Sequence, residues 1–430
     1  MRYLREVLPY LLVFLAAAAN GSPTNTDSTA SQGYSWHDSL WYHADVNRDN
    51  WDIAHDENQR FIHLNTPQFF QLAWIHRKGQ VSELELALNP EIGRVKTKTV
   101  NGKMTLDEWL ENPSVDGYIV IHRGKVVFEK YPRMRPLDKH DWWSTSKSVT
   151  GTLVAMLEDE GKVDVSKPIE TYIPRLKGTA WAGIPVINVL DMASGTAGME
   201  ADDPGAYTDE NSLYNRYEAS LGTRPKTPMT LDSTYEYVAL LPTHRPSGEA
   251  FEYTSVNTFV AAWLVESVTG KPLAEVISER IWQKIGAEGD ALIRISDFGA
   301  PHNSSINSTL RDLGRYGLLF TPSWNVVAKE KVISDAYLKK IQKGGRPGIF
   351  DKGVAGQAFN TLFDGEKPIH NTYQWDFVME DGDFLKSGHS GQGVYISPTR
   401  DVVVAFFGTG DNSTIFGSAA LARAVAKSLE

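Results

Sequence analysis

Ser144-Thr145-Ser146-Lys147 places a serine three residues before a lysine, inside WWSTSKSVTGTLVAMLEDEGKVD (142–164), where a helical pattern begins. Positions i and i+3 share a helix face, so the hydroxyl and the amine can meet. A serine attacks a carbonyl only when a base takes its proton. A lysine held in a partly dry pocket near other cations can be that base. The free N–H groups of a helix N-terminus would stabilise an oxyanion forming beside the serine. The same residues also read as an N-cap serine, worth about 1 kcal/mol, followed by a surface lysine. The pair therefore needs partners.

Two further stretches supply candidates. Tyr253 ends Phe251-Glu252-Tyr253 just before the pattern Asn257–Val268. A tyrosine near lysine charges can share protons between the serine and a leaving group; alone it is equally a core aromatic. GHSGQG (388–393) leads into a strand pattern, and its glycines let a backbone approach a substrate closely. The Gln392 N–H is the candidate second oxyanion donor beside that of Ser144. Loss of one such donor costs about 3–4 kcal/mol of barrier. Trp142 and Trp143 read as core residues, with one available to line a pocket. The 11 histidines show no metal-ligand spacing, so neither a metal nor a cofactor is expected.

In this order the three elements resemble the serine hydrolases of the β-lactamase and penicillin-binding superfamily, whose motifs include S-x-x-K and a K-T-G-type strand. The resemblance covers about residues 115–425. Within that superfamily, STSKSVTGTLVAMLEDEGKVD…YIPRL, Val189-Leu190-Asp191-Met192 and Tyr253-Thr254-Ser255-Val256-Asn257-Thr258 look most similar to the 6-aminohexanoate-dimer hydrolases and related carboxylesterases. The resemblance implies an acyl-enzyme on Ser144, with Lys147 and Tyr253 moving protons. It sets Phe251–Ser255 as the tyrosine motif and His389-Ser390-Gly391 as the third motif. Two departures follow from that alignment: Ser255 stands where an asparagine is usual, and His389 where a lysine is usual. Both imply ester or linear amide substrates over β-lactams, although a β-lactamase or a D-amino-acid peptidase acting on cell wall stays open, as does a silent penicillin-binding module. His389 can still hydrogen-bond, or carry charge at lower pH. The acidic stretch EADDPGAYTDE (200–210) falls where related hydrolases carry a substrate-covering loop. Glu200, Asp202 or Asp203 could meet a substrate ammonium there, or form a solvated turn.

The elements that must position these residues are legible in outline. GYIVIHRGKVVFEKY (117–131) reads as a hairpin turning at Arg123-Gly124, and GQGVYISPTRDVVVAFF (391–407) as a second. Helical spacing marks Val149, Leu153, Met156 and Leu157, then 257–268, 309–320 and a C-terminal helix at 418–429. The expected fold class is α/β (α+β), β-lactamase/transpeptidase-like. An antiparallel sheet is built from about 115–131 and 388–410, flanked by helices, with a mostly helical insertion at about 165–330. The hydrolase domain spans 113–425, and 23–112 is an irregular segment wrapping it.

Composition bounds the setting. With 53 acidic and 43 basic residues, the net charge of −10 argues against nucleic acid as a partner. The basic start, the apolar run Val7–Ala19 and the small residues after it read as a signal peptide ending within 19–22. A membrane anchor is the alternative. Export to a bacterial periplasm or medium is expected, with no stable membrane insertion after cleavage. Cysteine is absent, which excludes disulfides and a thiolate nucleophile. Triplets at Asn303, Asn307 and Asn412 would accept glycans only in a eukaryotic host. The expected partner is a small amide or ester substrate.

Overall fold

The computed structural model describes residues 30–47, 51, 57–201, 203, 205–297 and 299–429. The expected leader at 1–22 and Asp202 lie outside the described residues. A seven-stranded antiparallel sheet carries the body. In chain order its strands are β1 (Val115–His122), β2 (Lys125–Lys130), β3 (Pro368–Thr372), β4 (Trp375–Met379), β5 (Phe384–Gly388), β6 (Gln392–Ser397) and β7 (Val402–Gly408). Across the sheet they lie β2-β1-β7-β6-β5-β4-β3. The register of β7 on β1 runs from Val402↔His122 to Gly408↔Val115, so the two ends of the body close into one sheet.

The local causes are plain. Arg123 and Gly124 both have positive φ (50° and 75°), which matches the twist of a two-residue hairpin turn. Along β7, Val403, Ala405 and Phe407 enter one core while Val402, Val404 and Phe406 enter another. Period-two alternation thus feeds hydrophobic layers on both faces. Four helices matter for the site: α1 (Glu57–Leu64), α2 (Lys147–Asp159), α3 (Ser255–Thr269) and α4 (Leu310–Leu318). Residues of α2, α3 and α4 fill the larger core, and the C-terminal helix Asn412–Ser428 packs in the other. Gly270, with φ +68°, ends α3 in the left-handed cap that glycine favours.

Two differences from the expected layout have physical reasons. Strands β3, β4 and the start of β5 extend the sheet beyond the two hairpins. Strands β4 and β5 are buried at every position, so they lack the polar–apolar alternation that marks a half-exposed strand. The region 165–330 is also interrupted by a hairpin, Ala291–Ile295 with Pro301–Ser308. Its second strand, PHNSSINS, is polar and reads as a loop. Together with Leu72–Ile75 and His140–Asp141 it makes a four-stranded sheet. The segment before β1 holds regular structure too, including Trp36–Asp45, α1 and the hairpin Lys96–Thr99 with Gly102–Thr105.

Candidate active site

Ser144 lies in a short 3-10 turn, Trp143–Ser146, that runs directly into α2. One turn later the Lys147 Nζ donates to the Ser144 Oγ at 2.5 Å. Lys147 is fully buried, and this desolvation holds its ammonium down to about 8, with Lys386 adding to the effect and Glu200, Asp376 and Glu218 opposing it. The Tyr253 phenol hydrogen-bonds Ser144. Burial, with Asp376 and Glu200 nearby, pushes that phenol well above its ordinary range, so it keeps its proton. A helix cap explains how Tyr253 is held: Thr254 caps α3 through the Val256 N–H at 3.2 Å, and its own hydroxyl donates to the Gly198 carbonyl at 2.6 Å.

A second buried lysine completes the cluster. Lys386 on β5 donates from Nζ to the Tyr253 hydroxyl at 3.0 Å and pairs with Asp376 on β4. Asp376 also accepts from the Ser387 N–H at 2.8 Å and the Ser387 hydroxyl at 2.6 Å. The Lys147 and Lys386 amines stand 5.3 Å and 4.6 Å from the centre of the Tyr253 ring. One phenol therefore lies beside two buried lysine amines, within reach of the serine.

The turn before the nucleophile is strained and heavily tied. Trp143 has φ +47°, a region that bulky residues rarely adopt. Its N–H donates to Asp141 Oδ1 at 2.9 Å. Asp141 in turn pairs with the buried Arg294 and accepts from the Ser305 hydroxyl at 3.0 Å. The Arg294 guanidinium lies 4.5 Å and 5.5 Å from the Trp51 and Trp143 ring centres. Ile306 N–H donates to Ser146 Oγ at 2.7 Å, stitching the turn to the strand beside it. Further along α2, Gly151 passes so close to Tyr373 that an added Cβ would stand 2.1 Å from its carbonyl oxygen.

Ser144 and Tyr253 open onto a cavity of about 480 Å³. One side is acidic and aromatic, with Glu200, Asp203 and Tyr207. Opposite stand apolar side chains, including Val354, Phe359, Ile415 and Phe416. The end of β5 and the residue after it, Ser387 to His389, form a third side. Glu200 is held from both oxygens, by the Ser255 N–H on one and the Tyr207 hydroxyl at 2.8 Å on the other. The Tyr207 ring stacks on His389 at 5.5 Å. His389 stands exposed at the cavity, yet the protein around it strips enough water to lower its imidazole from the usual value, with Arg224 and Lys147 adding and Glu200 opposing.

The structure brings Ser144, Lys147, Tyr253, Glu200 and His389 together, and moves other expected residues away. Gln392 is fully buried; its side chain accepts from the Ser390 N–H at 3.2 Å and donates to the Gly408 carbonyl at 2.6 Å. It does not line the cavity. Gly391 packs against Thr414 and does not line it either. Ser255 is buried behind Glu200, which its N–H orients, so it does not line the cavity. The third motif is accordingly Lys386-Ser387-Gly388, three residues before the expected His389-Ser390-Gly391. The lysine absent from the expected alignment is present, and His389 is the residue following the motif. Gly388 suits this place because a Cβ there would stand 2.5 Å from the Trp142 carbonyl oxygen and 2.9 Å from Trp143 Cβ. Sequence reasoning missed Lys386, Asp376 and Tyr207. The K-S-G tripeptide was a usable signal for the first; nothing local marks the other two.

A family model described as Beta-lactamase matches residues 116–427. The chain is similar to the 6-aminohexanoate-dimer hydrolase of Paenarthrobacter ureafaciens, 32% identical over 302 residues, which is 70% of this chain and 74% of the relative. Among solved structures, a Bacillus anthracis protein provisionally named a 6-aminohexanoate-dimer hydrolase superposes with TM-score 0.76 at 23% identity, covering 90% of this chain and 97% of its own. A beta-lactamase/D-alanine carboxypeptidase from Yersinia pestis shares the fold, with TM-score 0.53 at 16% identity over 75% of this chain and 96% of its own.

Proposed function

Since the chain belongs to the beta-lactamase family and is a serine hydrolase of the amidase and esterase type, we propose that Ser144 is its nucleophile and that it cleaves linear amides or esters carrying an aliphatic chain and an ammonium group. The observation that carries this reading is the cluster Ser144–Lys147–Tyr253–Lys386, whose serine and tyrosine line one cavity. Neutral Lys147 takes the Ser144 proton as Oγ attacks the carbonyl carbon. Tyr253, beside Lys386, passes a proton to the leaving amine or alcohol. The oxyanion is held by the Ser144 N–H, which has no helical partner in the first turn, and by the His389 N–H beyond β5. Water then attacks the acyl-enzyme by the reverse proton path and frees the acid.

Glu200 and Asp203 facing an apolar wall support the substrate class: the carboxylates suit an ammonium, and Val354, Phe359, Ile415 and Phe416 suit methylene groups. The named activity of the Paenarthrobacter relative agrees with such a substrate. Amine release from the linear 6-aminohexanoate dimer tests it, with Ser144→Ala as blank and a p-nitrophenyl ester as activity control. Ester turnover without amine release would remove the amide assignment and leave an esterase. A second reading, β-lactam or D-peptide hydrolysis, is favoured by one observation, the lysine at position 386 in the strand motif. Nitrocefin turnover above the Ser144→Ala blank would support it. The apolar run Val7–Ala19 supports export of the enzyme, and the mass of the protein recovered from cells tests that: a chain retaining residues 1–19 would contradict it.

A further inference from the structure

Helix α1 lies upstream of the stretch matched by the family model, yet one face of it reaches the back of the site. Gln59 and His63 are four residues apart and so lie one above the other. Gln59 donates from Nε2 to the Ser390 Oγ at 2.9 Å. The Trp143 indole N–H donates to His63 Nε2 at 2.8 Å. Ser390 directly follows His389, and Trp143 directly precedes Ser144. Each backbone segment assigned an oxyanion donor is therefore tied to the same helical face.

The face itself is fixed to the sheet. Buried Arg60 pairs with Asp116 on β1 at 2.6 Å. Asp116 also accepts from the Thr409 hydroxyl at 2.6 Å and meets His140 Nε2 at 3.1 Å. An indole can only donate, so His63 carries its proton on Nδ1, which faces the Thr409 hydroxyl at 3.3 Å. Trp143 needs such holding because its backbone is strained at φ +47°. The two segments also touch each other, with the Trp143 and His389 rings 5.4 Å apart.

We propose that Gln59 and His63 are positioning residues that set the separation of the Ser144 and His389 amides, so that the segment before β1 belongs to the catalytic machinery. The proposal rests on the reading of Ser144 as nucleophile. Neither residue lines the cavity, so their effect on the two amides passes through Ser390 and Trp143.

The test uses the whole protein carrying His63→Leu, Gln59→Leu or His63→Gln, assayed on a p-nitrophenyl ester and on inhibition by an alkyl boronic acid. The boronic acid forms a tetrahedral adduct on the serine and so reports on the oxyanion donors. A misplacement near 1 Å costs about 100-fold in rate. The expected result is a fall in kcat of about 10- to 100-fold for each leucine variant, with KM changed less than about twofold. Boronic acid affinity should fall with kcat, and His63→Gln, which keeps an acceptor near the Nε2 position, should recover most of both. Folded leucine variants with wild-type kcat would overturn the proposal, as would a fall in kcat with unchanged boronic acid affinity. Loss of folding in both leucine variants would also overturn it and assign α1 to stability alone. Failure of the underlying reading shows separately, as wild-type turnover by Ser144→Ala.

Discussion

In the proposed mechanism Lys147 decides the pH dependence of the reaction. Only its neutral form can accept the Ser144 proton, and burial holds the ammonium down to about 8. Below that value the folded enzyme carries a protonated, inactive base, and the active fraction grows as pH rises. From pH 7 to pH 9 the neutral fraction climbs about tenfold, so kcat/KM for an ester corrected for spontaneous hydrolysis should climb about as much. A profile flat across that interval would remove Lys147 as the base. Ser144, Lys147 and Tyr253, which the structure brings together, could be singled out in the sequence by local spacing, i to i+3 and a residue just before a helix cap. Lys386 was overshadowed by the glycine-rich stretch 388–393 just after it, and the expected lysine vacancy at His389 was a register error. Asp376 and Tyr207 were not legible. Asp376 acts across a strand pair, and Tyr207 reaches Glu200 and His389 from a loop whose path no propensity sets.

Helix α2 carries Lys147 and continues the turn that holds Ser144, the proposed nucleophile, and its seat depends on a missing side chain. Gly151 lets the helix abut the Tyr373 carbonyl, where a methyl group would stand 2.1 Å from the oxygen. Backbone cannot move aside cheaply, so Gly151→Ala must shift α2 or the turn at Tyr373. The expected outcome is a loss of about 1–3 kcal/mol in urea unfolding, together with reduced kcat, because Ser144 and Lys147 move with the helix. A variant as stable and as active as the parent would show that the helix is not seated there. Elements flanked by turn residues or showing helical spacing were readable, including β1 with β2, β6 with β7, and α3. The all-buried strands β4 and β5 were not, and neither was the polar strand Pro301–Ser308.

At the scale of the molecule, the site is assembled from parts far apart in sequence. Gln59 meets Ser390 and Arg60 meets Asp116, contacts that no local pattern foretells. A chain beginning at Ser114 would keep the whole stretch matched by the family model, but Asp116 would lose the Arg60 guanidinium and keep His140 and Thr409 as partners. Breaking a buried ion pair by removing one partner costs about 3–5 kcal/mol, a large share of the stability of a typical domain. Such a chain should fail to show a cooperative thermal transition; a sharp transition with full ester turnover would contradict the role given to the upstream segment. The sheet joining both ends of the body was legible because its two hairpins carry turn residues and alternation. The contribution of residues before β1 was not, because it is made of long-range contacts, from the pairing of Leu72–Ile75 with Ala291–Ile295 to single bonds such as Gln59 to Ser390.

The central claim is covalent chemistry at Ser144, and trapping the acyl-enzyme tests it most directly. The protein is mixed with a p-nitrophenyl ester, quenched in acid during turnover, digested and mapped by mass spectrometry. One added acyl group is expected on the peptide containing Ser144, absent from Ser144→Ala. Steady ester turnover with no acylated peptide, or with the acyl group on another residue, would contradict it.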